Sequence, residues 1–122
     1  MHKLTHFRLC PFSRSIRLAL AELGLEFELK EEQPWEWRAT FLALNPSGEL
    51  PVLEMDHGPV LLGAYAISEY LAEEACRHPS EPRAMALLPG GRDDRAEVRR
   101  LVDWFHRKLD REVTRELLLE KV

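Results

Sequence analysis

A cysteine stands where a predicted strand meets a predicted helix near the start of the chain. Residues 2–9 show the partial alternation of a β-strand, and apolar residues at helical spacing then run from Pro11 to Gly24. Cys10 therefore falls at the helix N-cap, with Pro11 at the first helical position, where its missing N–H costs no hydrogen bond. The unpaired N–H groups and partial positive charge of a helix N-terminus favour a thiolate over a thiol.

Two interpretations of Cys10 follow. The first is a nucleophile or thiol-exchange centre, which its position at the helix start favours, and the second is a small buried apolar side chain. The residue three places on is Ser13, so the spacing excludes a Cys-x-x-Cys dithiol. Any exchange chemistry must use one thiol, with an external thiol resolving the mixed disulfide. Cys76 has no assigned role, and a buried position on a helix is expected for it.

The composition limits the class of protein. A chain of 122 residues with 45% hydrophobic residues suits one compact domain, or a small domain plus a piece of another. Seventeen basic and 21 acidic residues give a net charge of −4, which argues against a nucleic-acid surface. Five histidines lie without ligand-like spacing, so no metal site is predicted. No apolar run approaches a membrane span and two cysteines make no disulfide framework, so we expect a cytoplasmic protein that binds no membrane.

The element order predicts an α/β domain followed by a helix. A second strand at residues 24–30 makes a βαβ unit, and a short helix at 34–44 precedes the turn at 45–48. A strand at 49–55 containing Pro51 then forms a hairpin with Val60–Leu62, and a third helix runs over 64–75. Prolines and glycines predict a linker at 77–92, after which Asp93 or Asp94 is expected to cap a long helix.

The long helix has a wide apolar stripe over residues 98–117, which one helix cannot bury alone. It docks on the first domain, pairs with another subunit, or starts a longer domain of which the chain is a truncated piece. We expect the last of these.

Four segments together resemble the glutathione S-transferase family, in its N-terminal thioredoxin-like domain. They are Cys10-Pro11-Phe12-Ser13 with Arg17, Ala19 and Leu20; residues 45–53, Asn-Pro-Ser-Gly-Glu-Leu-Pro-Val-Leu; Gly63-Ala64 with Ala66, Ile67, Tyr70 and Leu71; and the long helix with Val102, Trp104 and Phe105. The resemblance implies a thioredoxin-like βαβαββα domain at 1–76, a linker at 77–92, and the first long helix of an all-α domain at 93–122.

The resemblance also implies a function. Cys10 resembles the cysteine of omega-like and related bacterial branches, which forms a mixed disulfide with glutathione. In the family, Pro51 is cis, Leu50 lends its backbone to the cysteine part of glutathione, and the helix start at Gly63 and Ala64 receives the γ-glutamyl end. Glutathione is then the co-substrate, and the partner is an unknown electrophile or mixed disulfide. Family members usually pair through this domain and the long helix, so a homodimer is expected.

The chain departs from the family pattern at the glutathione site. Gly63 and Ala64 stand where an acid or amide and a serine hydroxyl usually hold the γ-glutamyl group, and Glu49 opposes a carboxylate ligand. Ser13 is a spare hydroxyl that we expect to cap the first turn of the helix. The alternative function is therefore a non-catalytic interaction module of the same fold, with a degraded glutathione site.

Overall fold

The computed structural model describes residues 1–76 and 90–121, with backbone only at 76 and 121. The strands are β1 (His2–His6), β2 (Phe27–Glu31), β3 (Val52–Glu54) and β4 (Val60–Leu62). The α-helices are α1 (Pro11–Glu22), α2 (Ala39–Leu44), α3 (Ala64–Cys76), α4 (Arg92–Leu109) and α5 (Arg115–Lys121), with a 3₁₀ turn at Pro34–Glu36 and a π-helical segment at Asp110–Thr114. The predicted linker lies outside the described residues except for its last three.

The four strands form one mixed sheet in the order β2-β1-β3-β4. β1 runs parallel to β2, with Leu4 opposite Leu29, and antiparallel to β3, with Leu4 opposite Leu53. β3 and β4 form the predicted antiparallel hairpin. This order confirms the predicted α/β, thioredoxin-like domain, because α1 provides the crossover that a parallel β1–β2 pair requires.

Two apolar clusters hold the sheet to its helices. The first joins β1 and β3 to α1 and α3; its buried members are Leu4, Ile16, Leu20, Leu53, Ala64, Ile67 and Leu71. The second joins β3 and the residues beside the sheet to α2; its buried members are Phe7, Phe41, Leu50 and Val52, with Cys10, Trp35, Leu44 and Leu118 packed against it. The thiol therefore lies at the border of a core cluster, which is where a half-buried reactive group can be held in one position.

Some boundaries differ from the sequence predictions. β1 ends at His6 instead of Leu9, because the backbone of Phe7 turns to accept a hydrogen bond from the Cys10 N–H. The helix predicted at 34–44 is interrupted at Trp37, whose φ of 49° ends the 3₁₀ turn before α2 begins. Trp35 packs edge-on against Phe7, whereas the Trp37 side chain is 64% exposed.

The contacts between α4 and the thioredoxin-like part include an ion pair and a ring contact. Arg99 donates to Glu69 on α3, with Nε 2.8 Å from Oε1, and the His106 ring lies 5.0 Å from that of Phe12 on α1. The apolar side chains predicted to form the stripe of the long C-terminal helix remain substantially exposed; they include Leu101, Val102, Phe105 and Leu109 on α4, Val113 in the π-helical segment and Leu117 on α5. No helix in the described ranges is long and apolar enough to cross a membrane.

Candidate functional site

Cys10 is the N-cap of α1, as the sequence predicts. Its backbone is extended, with φ −75° and ψ 120°, and its Sγ accepts a hydrogen bond from the backbone N–H of Ser13 at 3.4 Å. The side chain is partly buried. An N–H that points at the sulfur from the first turn of a helix stabilises negative charge there, so the geometry suits a thiolate nucleophile.

Ser13 does not cap the helix with its hydroxyl. The side chain is fully buried, and its Oγ accepts from the backbone N–H of Phe7 at 3.4 Å. The expectation of a first-turn cap was therefore wrong, because Cys10 already holds the cap position. A hydroxyl buried beneath the helix is also not placed to contact a ligand in the groove.

The peptide bond between Leu50 and Pro51 is cis, as the family resemblance implies. Within residues 1–76 and 90–121, the N–H and C=O of Leu50 make no hydrogen bond, while the Pro51 carbonyl accepts from the Gly63 N–H at 3.0 Å. The Leu50 backbone is therefore free to pair with an extended peptide. Its side chain belongs to the same apolar cluster that Cys10 borders.

Gly63 precedes α3 with a φ of 92°, a conformation that favours glycine. Its carbonyl accepts from the Ile67 N–H at 3.1 Å, which is the first hydrogen bond of the helix, so the N–H groups before Ile67 have no partner within the helix. A helix N-terminus of this kind attracts a carboxylate. Ala64 adds no side-chain donor, as the sequence predicts.

These parts line one large groove of about 1620 Å³. Its floor includes Cys10, Leu50 and Ala64, and α4 contributes Val102 and Phe105 on the other side. The lining of this groove includes four of the five sequence-predicted site residues, namely Cys10, Leu50, Gly63 and Ala64, whereas Pro51 is fully buried and is not among the lining residues.

Two features of the site were not predicted from the sequence. His106 lines the groove from α4, and burial lowers the pKa of its imidazole below 6.5. Thr114, the last residue of the π-helical segment, also lines the groove, together with Arg115 and Leu118 of α5. Neither feature had a usable signal in the sequence, because helical spacing alone does not show which face of the long helix lies against Phe12 and the groove. Across the described ranges, no group of three or more potential ligand side chains could hold a metal.

A family model described as "Glutathione S-transferase, N-terminal domain" matches residues 9–74. FtsZ-localized protein A of Caulobacter vibrioides is 44% identical over 122 residues, which covers 98% of this chain and 50% of that protein. The chain thus spans about half the length of this curated relative.

Two solved structures extend the comparison. A glutathione S-transferase from Sinorhizobium meliloti superposes with a TM-score of 0.87 at 46% identity, covering 100% of this chain and 52% of that one. A glutathione S-transferase from Methylobacterium radiotolerans, solved in complex with glutathione sulfonate, superposes with a TM-score of 0.67 at 35% identity, covering 81% of this chain and 43% of that one.

Proposed function

Because the chain belongs to the glutathione S-transferase family, whose N-terminal domain model matches more than half of it, we propose that its groove binds glutathione and that Cys10 carries out glutathione-dependent thiol transfer. The observation that carries the proposal is the Ser13 N–H directed at the Cys10 sulfur. The solved relative with bound glutathione sulfonate supports the choice of ligand.

The backbone of this chain supplies most of the binding groups. The N–H and C=O of Leu50 pair with the cysteine part of glutathione, and the N-terminus of α3 at Gly63 and Ala64 receives the γ-glutamyl carboxylate. Glu49 stands beside this path with an exposed side chain and weakens the binding of an anionic peptide. We therefore expect weak binding, in the millimolar range rather than the micromolar one.

The reaction uses one thiol. The Cys10 thiolate attacks the glutathionyl sulfur of a mixed disulfide, the S–S bond breaks, and the released substrate thiolate takes a proton from water. The Cys10–glutathione disulfide is then attacked by a second glutathione thiolate, which releases oxidised glutathione and restores the Cys10 thiolate. The net change is that one glutathione thiol reduces the mixed disulfide, which gives the free substrate thiol and one molecule of oxidised glutathione.

The test is trapping of the first intermediate. The full chain is exposed briefly to oxidised glutathione, and its intact mass is measured beside Cys10→Ser and Cys76→Ser. One glutathionyl group on the wild type and on Cys76→Ser, absent from Cys10→Ser and removed by added glutathione, supports the proposal. Equal labelling of Cys10→Ser, or no labelling at all, contradicts it.

A second candidate function is association with FtsZ. The observation that favours it is the 44% identity to FtsZ-localized protein A over nearly the whole chain. The absence of a hydroxyl or acid at Gly63 and Ala64 is also what a binding module that no longer needs glutathione would show. Saturable binding of purified FtsZ by this chain and by Cys10→Ser alike, with no glutathionylation, would favour this function over thiol transfer.

We also propose that the protein acts as a cytoplasmic homodimer. The support for a dimer is that apolar side chains on α4, such as Val102 and Phe105, stay exposed. A second copy of the chain would cover them. We propose as well that the chain is organised as a thioredoxin-like domain at residues 1–76, a linker at 77–92 and the start of an all-α domain at 93–122. Sedimentation equilibrium of the wild type beside Phe105→Ser is the check, and a monomer at every concentration contradicts the dimer.

A further inference from the structure

The loop that carries Cys10 is closed by a ring of three hydrogen bonds. The Cys10 N–H donates to the Phe7 carbonyl at 3.0 Å, the Ser13 N–H donates to the Cys10 sulfur at 3.4 Å, and the Phe7 N–H donates to the Ser13 hydroxyl at 3.4 Å. Each of the three residues thus both gives and receives a hydrogen bond within the ring. The end of β1 and the start of α1 are thereby tied together on either side of the thiol.

We propose that Ser13 is the positioning residue for the Cys10 thiolate. The inference rests on the proposed thiol chemistry and concerns the same site. The Ser13 hydroxyl does not touch the sulfur. It holds the first turn of α1 on the Phe7 N–H, so that the Ser13 N–H stays aimed at Sγ.

Burial makes this role specific. Ser13 is fully buried and Phe7 nearly so, and the Phe7 N–H has no other acceptor in the parts of the chain that the structure describes. Removing the hydroxyl therefore leaves a buried donor unpaired, and the loop must shift to satisfy it. A shift of a few tenths of an ångström lengthens a bond to sulfur that is already 3.4 Å, and the thiolate loses its fixed donor.

The experiment follows the alkylation of Cys10 by iodoacetamide as a function of pH in the full chain, read by peptide mass so that Cys76 is counted separately. Ser13→Ala is expected to move the midpoint of the profile upward by about half to one pH unit, which slows alkylation about threefold to tenfold at pH values well below the wild-type midpoint. Ser15→Ala, the same change two residues further along α1, is the matched control and leaves the profile in place.

A measurement on the wild type keeps the proposal testable if Ser13→Ala fails to fold. The Ser13 amide proton shift is followed by NMR against pH, and it titrates with the same midpoint as Cys10 alkylation and stops titrating in Cys10→Ser. An unchanged alkylation midpoint in folded Ser13→Ala, or a Ser13 amide that ignores the thiol, overturns the proposal. Neither measurement uses glutathione, so a failure of glutathione binding is distinguished from a failure of this inference.

Discussion

At the scale of single residues, Ala64 offers the simplest way to strengthen the proposed glutathione site. It lies in the first turn of α3 beside unpaired N–H groups, and a serine there adds one hydroxyl donor for a carboxylate. A hydrogen bond to a charged group is worth about 1.5–3 kcal/mol, so Ala64→Ser is expected to tighten glutathione binding about tenfold or more. Titration calorimetry measures the change.

The neighbouring glycine provides the control. Gly63 has a φ of 92°, which strains any residue with a side chain by about 1–3 kcal/mol, although a Cβ there meets no atom within 4 Å. Gly63→Ser is therefore expected to lower the free energy of unfolding without improving affinity. Equal gains in affinity for the two variants would show that a hydroxyl anywhere near the helix start suffices.

A second prediction concerns a buried carboxylate that the sequence did not reveal. Glu32 is 2% exposed and accepts from Arg38 Nη1 at 3.1 Å, while its Oε2 has no partner among the described residues. Removing the cation leaves the buried charge uncompensated, so Arg38→Ala is expected to lower the free energy of unfolding by about 2–4 kcal/mol. Urea denaturation measures this loss.

The double variant Glu32→Gln/Arg38→Ala tests the cause of that loss. Removing both charges is expected to recover a substantial part of the stability, because the penalty comes from the unpaired carboxylate. If the loss in the double variant equals the sum of the losses in Glu32→Gln and in Arg38→Ala, Arg38 acts through its contact with Thr40 instead.

The residue scale also shows what sequence reasoning reaches. The N-cap position of Cys10 was predictable because a strand, a proline and a helical period bracket it. The role of Ser13 was not, because its hydroxyl bonds to Phe7, six residues back, across a turn whose geometry no local pattern specifies. The Glu32–Arg38 pair was hidden for a similar reason, since charged residues are usually exposed.

At the scale of elements, the long C-terminal helix has an irregularity that periodicity could not foresee. The Arg115 N–H donates to the Asp110 carbonyl, five residues back, and the two side chains pair at 3.0 Å. Such a π-helical segment adds one residue to a turn and rotates the following face. The prediction that Asp93 or Asp94 caps the start of α4 was also wrong. Gly91 is the N-cap, and Asp93 and Asp94 lie in the first turn, where they complement the helix dipole.

The rotated face gives an element-scale prediction. Leu118 on α5 packs against the apolar cluster that contains Leu50, while Leu119 is 73% exposed. Leu118→Ala removes apolar contacts from a half-buried site and is expected to lower the free energy of unfolding by about 1–2 kcal/mol. Leu119→Ala, the matched control, changes it by less than about 0.5 kcal/mol. Chemical denaturation of both variants decides, and equal effects would mean that α5 does not dock on the cluster in solution.

At the scale of the whole molecule, the topology was predictable because each element carried its own signal: alternation, helical spacing, or a proline before a strand. The placement of α4 was not, since its apolar stripe fits several partners equally well. In the structure, the Arg99–Glu69 pair and the Phe12–His106 contact set the position of α4 and so place His106 in the groove.

The burial of two histidines makes the stability of the molecule depend on pH. Burial lowers the pKa of both His6 and His106 below 6.5, and Arg17 adds to the effect at His6. As pH falls below 6.5, the unfolded chain therefore takes up protons that the folded chain does not. The free energy of unfolding is expected to fall with decreasing pH from about 6.5, by at most about 1.4 kcal/mol per pH unit for each histidine.

The contribution of His106 can be isolated, because phenylalanine keeps a ring against Phe12 and removes the titration. His106→Phe is expected to make the dependence of unfolding free energy on pH less steep between pH 6.5 and 5, measured by urea denaturation at several pH values. His57→Asn is the control, since the His57 side chain is 94% exposed and its φ of 56° is one that asparagine tolerates. A profile as steep in His106→Phe as in the wild type would mean that α4 leaves the Phe12 ring in solution, and the groove would then lack its wall beside Cys10.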